Sequence, residues 1–204
     1  KSVIRLHNAT LINELNDDSY DWQFKELGTI ADNLDSTRMP ITKSKRIQGS
    51  VPYYGASGIV DYVEGHLFDE DLLLISEDGA NLLMRTYPIA FSVSGKTWVN
   101  NHAHVLRFSD KEIQRWVERY LNTIDLSKYI SGMAQPKLNQ KKLNSIPIPL
   151  PNKPKFLELL EIIEVLKVKS DDLNEIYSEK EAQLLKLKSA FLAQELQPSQ
   201  GEAA

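Results

Sequence analysis

The 204-residue chain contains no cysteine, which excludes a disulfide framework and every thiolate-held zinc or iron–sulfur centre. No run of about 18 apolar residues is present, so no segment has the length of a bilayer-spanning helix. The opening Lys1-Ser-Val-Ile-Arg-Leu-His lacks the long apolar core of a signal peptide. A cytoplasmic setting with no membrane association is the expectation. Positive charge is also short overall, with 24 Lys+Arg against 28 Asp+Glu and a formal net charge of −4. That balance argues against a polyanionic partner only if the charges are evenly spread, and they are not. Residues 1–35 hold 3 basic and 7 acidic residues, residues 36–148 hold 14 and 11, and residues 149–204 hold 7 and 10. The middle of the chain is mildly basic between acidic flanks, and a polyanion meets a segment rather than a whole chain.

The motifs of several enzyme classes are missing too. Ser94-Gly95-Lys96-Thr97 resembles the end of a P-loop, but Ala90 stands where the opening glycine belongs and the segment before it alternates like a strand. There is no G-x-G-x-x-G for a dinucleotide and no G-x-S-x-G for a hydrolase elbow. Neither the Asn-Pro-Pro-Tyr type of tetrapeptide nor the glycine-rich S-adenosylmethionine loop of an adenine methyltransferase is present. His102 and His104 are two apart on a strand and could face one metal. With four histidines and no cysteine in the chain, a packed or solvated strand is the simpler reading, and no metal is expected. Glu77 and Asp78 are adjacent, so on a strand they point to opposite faces and do not form an acid–base pair.

What is present divides near residue 147. Before it, short strand-like runs alternate with turns. Pro52–Val63 mixes aromatic and β-branched residues around Gly55 and Gly58 and suits two strands joined by a tight turn. Asp71-Leu-Leu-Leu-Ile-Ser is a short buried-strand pattern ending in the turn Glu77-Asp-Gly-Ala-Asn. Ile89–Ser94 and His102–Phe108 alternate, and Lys111–Leu121 suits an amphipathic helix capped by Asp110. Pro147, Pro149, Pro151 and Pro154 suggest a stiff connector without helix. From Phe156 to about Leu196 there is no glycine or proline. There, alternate spacings of four and three give a heptad seam: Leu159, Ile163, Leu166, Ser170, Leu173, Tyr177, Lys180, Leu184, Leu187 and Phe191. A helix of that length would be roughly 60 Å long, too long to bury its seam on a compact domain about 30–40 Å across. Pairing with another helix is the expectation, the alternative being a break at Ser170-Asp171-Asp172 that lets the helix fold back. The resulting division is a domain over 1–150, a helical dimerisation or spacer region over 151–197 and a disordered tail over 198–204.

With enzyme motifs absent, the turn-rich stretches offer a binding surface. Tyr53, Tyr54, Ser57, Asn81, Lys96, Trp98, Asn100, Asn101, His102, Gln135 and Lys137 are the candidates for DNA contact. Amide and cationic side chains read base edges in the major groove, and aromatics stack on or wedge against bases. Leu159, Ile163, Leu166, Leu173, Tyr177, Leu184, Leu187 and Phe191 are the candidates for a dimer or partner helix.

Three stretches resemble the specificity subunit of Type I restriction–modification systems. The first is Trp22-Gln-Phe-Lys-Glu-Leu-Gly-Thr-Ile-Ala, similar to the opening of each repeat of that family. The second is Leu73–Leu83 with Gly95–Leu106, similar to the centre of its recognition domain. The third is Ser131–Pro151 followed by the long helix, similar to the Leu-x-x-Ile-x-Ile-Pro-x-Pro block that closes a recognition domain. The resemblance covers residues 20 to 196. It implies an α+β (mixed α/β) target-recognition domain with a long C-terminal coiled-coil helix, and no catalytic residues or cofactor in this chain. Such a subunit reads one half of a bipartite double-stranded DNA target. It docks methyltransferase subunits, which methylate adenine N6 with S-adenosylmethionine, and a restriction subunit that uses ATP and magnesium. Family members usually carry two recognition domains and two helical regions; here there is one of each. An antiparallel-helix homodimer is the expected remedy for the unpartnered helix. The alternatives are a recognition fragment of a fused restriction–methyltransferase enzyme and a coiled-coil adaptor that binds only protein.

Overall fold

The computed structural model describes residues 21–132, 134–150 and 153–195. The expected tail over 198–204 and Pro151 lie outside the described residues, as do the side chains of Ile163, Leu166 and Ser170. One compact unit spans Leu15–Leu160 and a second includes Glu161 onward.

The first unit is built on two four-stranded sheets. Strands β2 (Asp32–Asn33), β6 (Leu72–Ser76), β7 (Ala90–Val93) and β9 (Ala103–Arg107) form one, in the order β2-β9-β6-β7 and antiparallel throughout. Strands β3 (Gln48–Gly55), β4 (Gly58–Val63), β5 (Phe68–Asp69) and β8 (Lys96–Val99) form the other, in the order β4-β3-β8-β5, with β3 and β8 parallel. The run Leu72-Leu-Leu-Ile-Ser is buried at every position, as a central strand covered on both faces must be. On one face Leu72, Leu74, Val93 and Val105 meet Phe68 and Val99 of the second sheet. Helix α3 (Lys111–Thr123) packs with β7 and buries Trp116, Val117, Tyr120 and Leu121. Its N-terminus is capped as the sequence predicts, Asp110 accepting from the Glu112 and Ile113 backbones at 2.8 and 3.3 Å. The Ser94-Gly95 stretch is a strand-to-strand turn between β7 and β8 with Thr97 buried. No helix begins there, so nothing forms a phosphate cradle.

Trp116 joins the first and third sequence stretches. Its ring stacks on Trp22 at 5.8 Å, meets Phe156 edge-on at 6.0 Å and donates from Nε1 to the Pro149 carbonyl at 2.6 Å. Helix α1 (Leu27–Ile30) follows β1 (Gln23–Glu26), and Gly28 lies against helix α4 (Gln140–Asn144). A Cβ on Gly28 would sit 2.8 Å from the Asn144 Cβ, which explains the glycine after Leu27.

The proline-rich segment differs from expectation. Pro147–Leu150 is strand β10, antiparallel to β1. Prolines two apart point their missing donors to one side of a strand, so the intervening residues still pair. Helix α5 (Lys153–Glu195) then begins inside the proline run, since proline is tolerated in a helix's first turn. Its 43 residues form one uninterrupted helix with no break at Ser170-Asp171-Asp172, about 64 Å long. Phe156 and Leu159 are buried, so the compact unit extends into the first turns of α5. Leu159 is thereby withdrawn from the free seam. Leu173, Tyr177, Leu184, Leu187 and Phe191 remain exposed.

Candidate nucleic-acid interface

Four connections come together where β6 ends and β9 begins. The turn between β3 and β4 is tied to β6 by the Ser76 hydroxyl, which donates to the Ala56 carbonyl. The β8–β9 turn is tied to both neighbours: Asn100 N–H donates to Tyr54 O at 3.0 Å, and Glu77 N–H donates to His102 O at 2.9 Å. The 131–138 loop is laced to the β6–β7 connection, with Gly79 N–H to Pro136 O at 3.0 Å and Leu138 N–H to Glu77 O at 2.8 Å. Within that loop Ser131 and Lys137 exchange backbone bonds of 2.8 Å. Gly132 makes the turn at φ +80°, where a Cβ would strike Gln135 O at 2.5 Å, so only glycine fits.

Ser57, Asn101, His102, Gln135 and Lys137 are exposed on this edge. Asp78 accepts from His102 Nδ1 at 2.9 Å and fixes its ring. The remaining sequence-derived candidates are placed otherwise. Tyr53 is fully buried, its hydroxyl accepting from Ile41 N–H at 2.9 Å and its ring beneath the Arg46 guanidinium at 4.4 Å. Tyr54 packs on Phe91 between the sheets. Trp98 donates from Nε1 to Met39 O at 2.7 Å. Asn100 is buried and accepts from His102 N–H at 2.8 Å. Asn81 spends its amide on Tyr87, accepting from its N–H at 2.9 Å and donating to its carbonyl at 3.0 Å. Lys96 is exposed but starts β8, opposite Asp69 and at the far end of that strand from Asn100. Aromatic residues in a two-sheet fold supply the core first, which is why Tyr53 and Tyr54 are absorbed by it.

Beneath the edge lies a charged cluster in which Arg38 and Asp35, not singled out from sequence, meet Glu77, His104 and Lys137. Arg38 Nη1 donates to Glu77 Oε2 at 2.6 Å and to the Ala103 carbonyl at 2.7 Å, and Nη2 lies 3.5 Å from Asp35. Lys137 Nζ reaches Glu77 at 3.0 Å. The buried His104 ring meets an acceptor on each side, Asp35 Oδ2 at 2.6 Å and Leu138 O at 2.7 Å. His102 and His104 therefore do not converge. Donor atoms of Asp35, Glu77 and His104 lie within 4.8 Å of one another, close enough for a metal ion. The Arg38 guanidinium already supplies the compensating cation there, and the cluster serves as an ion-pair network.

Burial alone would raise the Asp35 carboxyl, but the His104 bond and charge, the Val105 N–H and Arg38 hold it below the ordinary carboxylate range. For Glu77 burial is likewise outweighed by the Arg38 and Lys137 bonds and the His104 charge. Both folded-state values are depressed, so the unfolded chain takes up these protons first on acidification. Their contribution to stability is complete above about pH 5 and is lost as pH falls below about 4. Thermal midpoints measured from pH 7 to 3 should fall steeply over that lower window, and less steeply in Glu77→Gln.

A signal for this edge does exist in the sequence. No acidic residue occurs between Asp35 and Asp61, between Asp78 and Asp110, or between Asp125 and Glu158, while these stretches hold four, three and six basic residues. They supply the β3–β4 turn, the β8–β9 turn and the 131–138 loop. Exposed Lys43, Lys45, Lys128, Lys141 and Lys142 belong to the same stretches.

A two-sheet α+β domain with a polar loop edge and a long following helix is the class that the fold defines. The family model for the Type I restriction modification DNA specificity domain matches residues 20–186, and the chain belongs to that family. A Haemophilus influenzae Rd protein, S.HindORF215P, described as a type I restriction enzyme specificity subunit, is 36% identical over 160 residues, which is 78% of this chain and 41% of that protein. The chain thus spans about two fifths of that curated relative's length. Three solved structures share the fold. They are an M. genitalium Type I S subunit (TM-score 0.58, 16% identity, 98% of this chain and 56% of that one), a chain from a study of type I R-M complex assembly (0.66, 17%, 94% and 54%) and the Thermoanaerobacter tengcongensis HsdS subunit (0.57, 19%, 84% and 44%).

Proposed function

We propose that the chain is a non-catalytic DNA-specificity subunit that reads one half of a bipartite duplex target and directs adenine-N6 methylation and restriction by partner subunits. The observation that carries this is the gathering of Ser57, Asn101, His102, Gln135 and Lys137 from separate acid-free stretches of the sequence onto one exposed edge, where Asp78 holds His102 and Glu77 meets Lys137. Amide, hydroxyl and ammonium groups held on short, mutually bonded loops suit base-edge and phosphate contacts. S-adenosylmethionine, ATP and magnesium belong in this reading to the methyltransferase and restriction subunits. The exposed seam Leu173, Tyr177, Leu184, Leu187 and Phe191 suits a second copy in antiparallel orientation. A two-fold symmetric reader requires a palindromic, interrupted target.

The test uses the chain co-purified with a methyltransferase subunit and a random-sequence duplex pool. The selected motif should be two inverted half-sites with a fixed gap, and retention should fall steeply with salt. Asn101→Ala should relax at least one base position, at a cost of about 1–3 kcal/mol for a base contact. Lys96→Ala, at the far end of β8, should leave the motif unchanged. Retention without any selected motif would defeat the reading.

A further inference from the structure

The connection from β6 to β7 ends in an unusual surface. Leu83, Met84 and Tyr87 are 50%, 72% and 63% exposed, three large apolar side chains within five positions. The fold core uses none of them, yet the segment is firmly held. Helix α2 (Asn81–Met84) ends at Arg85, which adopts φ +51°, a left-handed conformation that side chains other than glycine rarely take. The Arg85 guanidinium compensates by donating to the Leu121 and Ile124 carbonyls at 3.0 and 2.7 Å, at the C-terminal end of α3. The Asn81 amide clamps both backbone groups of Tyr87. The result is a braced apolar tip, not a floppy loop.

Its position is informative. The same connection carries Asp78, which fixes His102, and Gly79, which bonds Pro136, so the tip is continuous with the polar edge. The stretch that carries the tip, between Asp78 and Asp110, holds three basic residues and no acidic one, and Asp125 is the acidic neighbour of Arg85 at its base. Burying a rigid apolar group beside polar reading groups is what a wedge between base steps does: it exchanges unstacking for a bent, more extensive contact. A protein-docking face would need a broader apolar area than three side chains present.

We propose that Leu83, Met84 and Tyr87 form a wedge that inserts against the bases of the duplex and locally unstacks a step in the half-site. This rests on the DNA-reading function above. The test compares the wild-type chain with the triple variant Leu83→Ser, Met84→Ser, Tyr87→Ser, each co-purified with the methyltransferase subunit. Because all three side chains are exposed, an unchanged thermal midpoint is expected and serves as the folding control. Duplexes carrying the motif selected by the wild type, with 2-aminopurine at successive positions, report unstacking. The wild type should raise the fluorescence at one step. The variant should abolish that rise and bind at least tenfold more weakly, with methyltransferase association intact. Equal fluorescence and affinity in the variant would overturn the wedge. Loss of methyltransferase association at unchanged DNA affinity would overturn it in favour of a protein-docking tip. A wild type that selects no motif would overturn the underlying reading and the wedge with it, and is distinguishable from both.

Discussion

Replacing Arg38 with alanine should destabilise the recognition domain by about 3–5 kcal/mol, the usual result of removing one partner from a buried ion pair. The magnitude follows from what the substitution leaves behind. Asp35 and Glu77 have side chains only 7% and 11% exposed, and Arg38 is bonded to Glu77 and to the Ala103 carbonyl and lies within 3.5 Å of Asp35. Without the guanidinium, two carboxylates face each other with only His104 and Lys137 to offset them. Uncompensated buried charge costs more than the original pair contributes. For a domain of this size the thermal midpoint should drop by roughly 10 °C, and the gap to the wild type should narrow on acidification, because losing Arg38 removes one of the groups that hold Asp35 and Glu77 ionised. A drop of one or two degrees with no pH dependence would show that the cluster is solvated and unimportant. Because Arg38 links the Ala103 carbonyl with Glu77, the same variant should blur half-site selection before it unfolds.

On the proposed antiparallel pairing, the chain should have about twice its 23.2 kDa mass and Leu187→Asp should reduce it to a monomer, as read by light scattering at micromolar concentration. Leu184, Leu187 and Phe191 are spaced three and four apart on α5 and are 66%, 65% and 62% exposed. They share a helix face that nothing in the described chain covers. In an antiparallel pair each substitution places a carboxylate in the apolar seam, and two copies do so at once. A penalty of several kcal/mol is at least a thousandfold in dimer affinity. The thermal midpoint of the recognition domain should not move, because Leu187 takes no part in its core. A dimer that survives the change, or a wild-type chain that is monomeric, would remove the symmetric half-subunit from consideration. Retained dimer with lost methyltransferase binding would assign the face to that subunit.

Elements whose cause is local were legible in the sequence. The Asp110 cap, the Gly55–Gly58 hairpin turn, the five-residue buried strand ending at Ser76 and the long glycine- and proline-free helix all follow from nearest-neighbour chemistry. The proline segment was misjudged because pairing with β1, a partner more than 120 residues earlier, decides whether alternating prolines are a linker or a strand. The DNA candidates divided for the same reason. Asn101 and Gln135 are in turns with exposed side chains, and Lys137 is exposed while reaching back to Glu77. Tyr53, Tyr54 and Trp98 are aromatics on strands, and only the Ile41 and Met39 backbones that bond Tyr53 and Trp98 and the Phe91 ring beside Tyr54 tie them to protein.

By itself the sequence determined an absence of thiolate chemistry and of common catalytic motifs, a basic middle between acidic ends, and a helix with an apolar seam longer than any compact domain could cover. Composition and period depend on residue type alone, so they need no fold to be counted. Tertiary structure decided which residues share an edge. Ser57, Asn101, His102 and Lys137 are separated by up to 80 positions, yet backbone hydrogen bonds among their connections hold them together over the Arg38 cluster. Tertiary structure also made Arg85 the brace of an apolar tip, because its guanidinium donates to the Leu121 and Ile124 carbonyls at the end of α3.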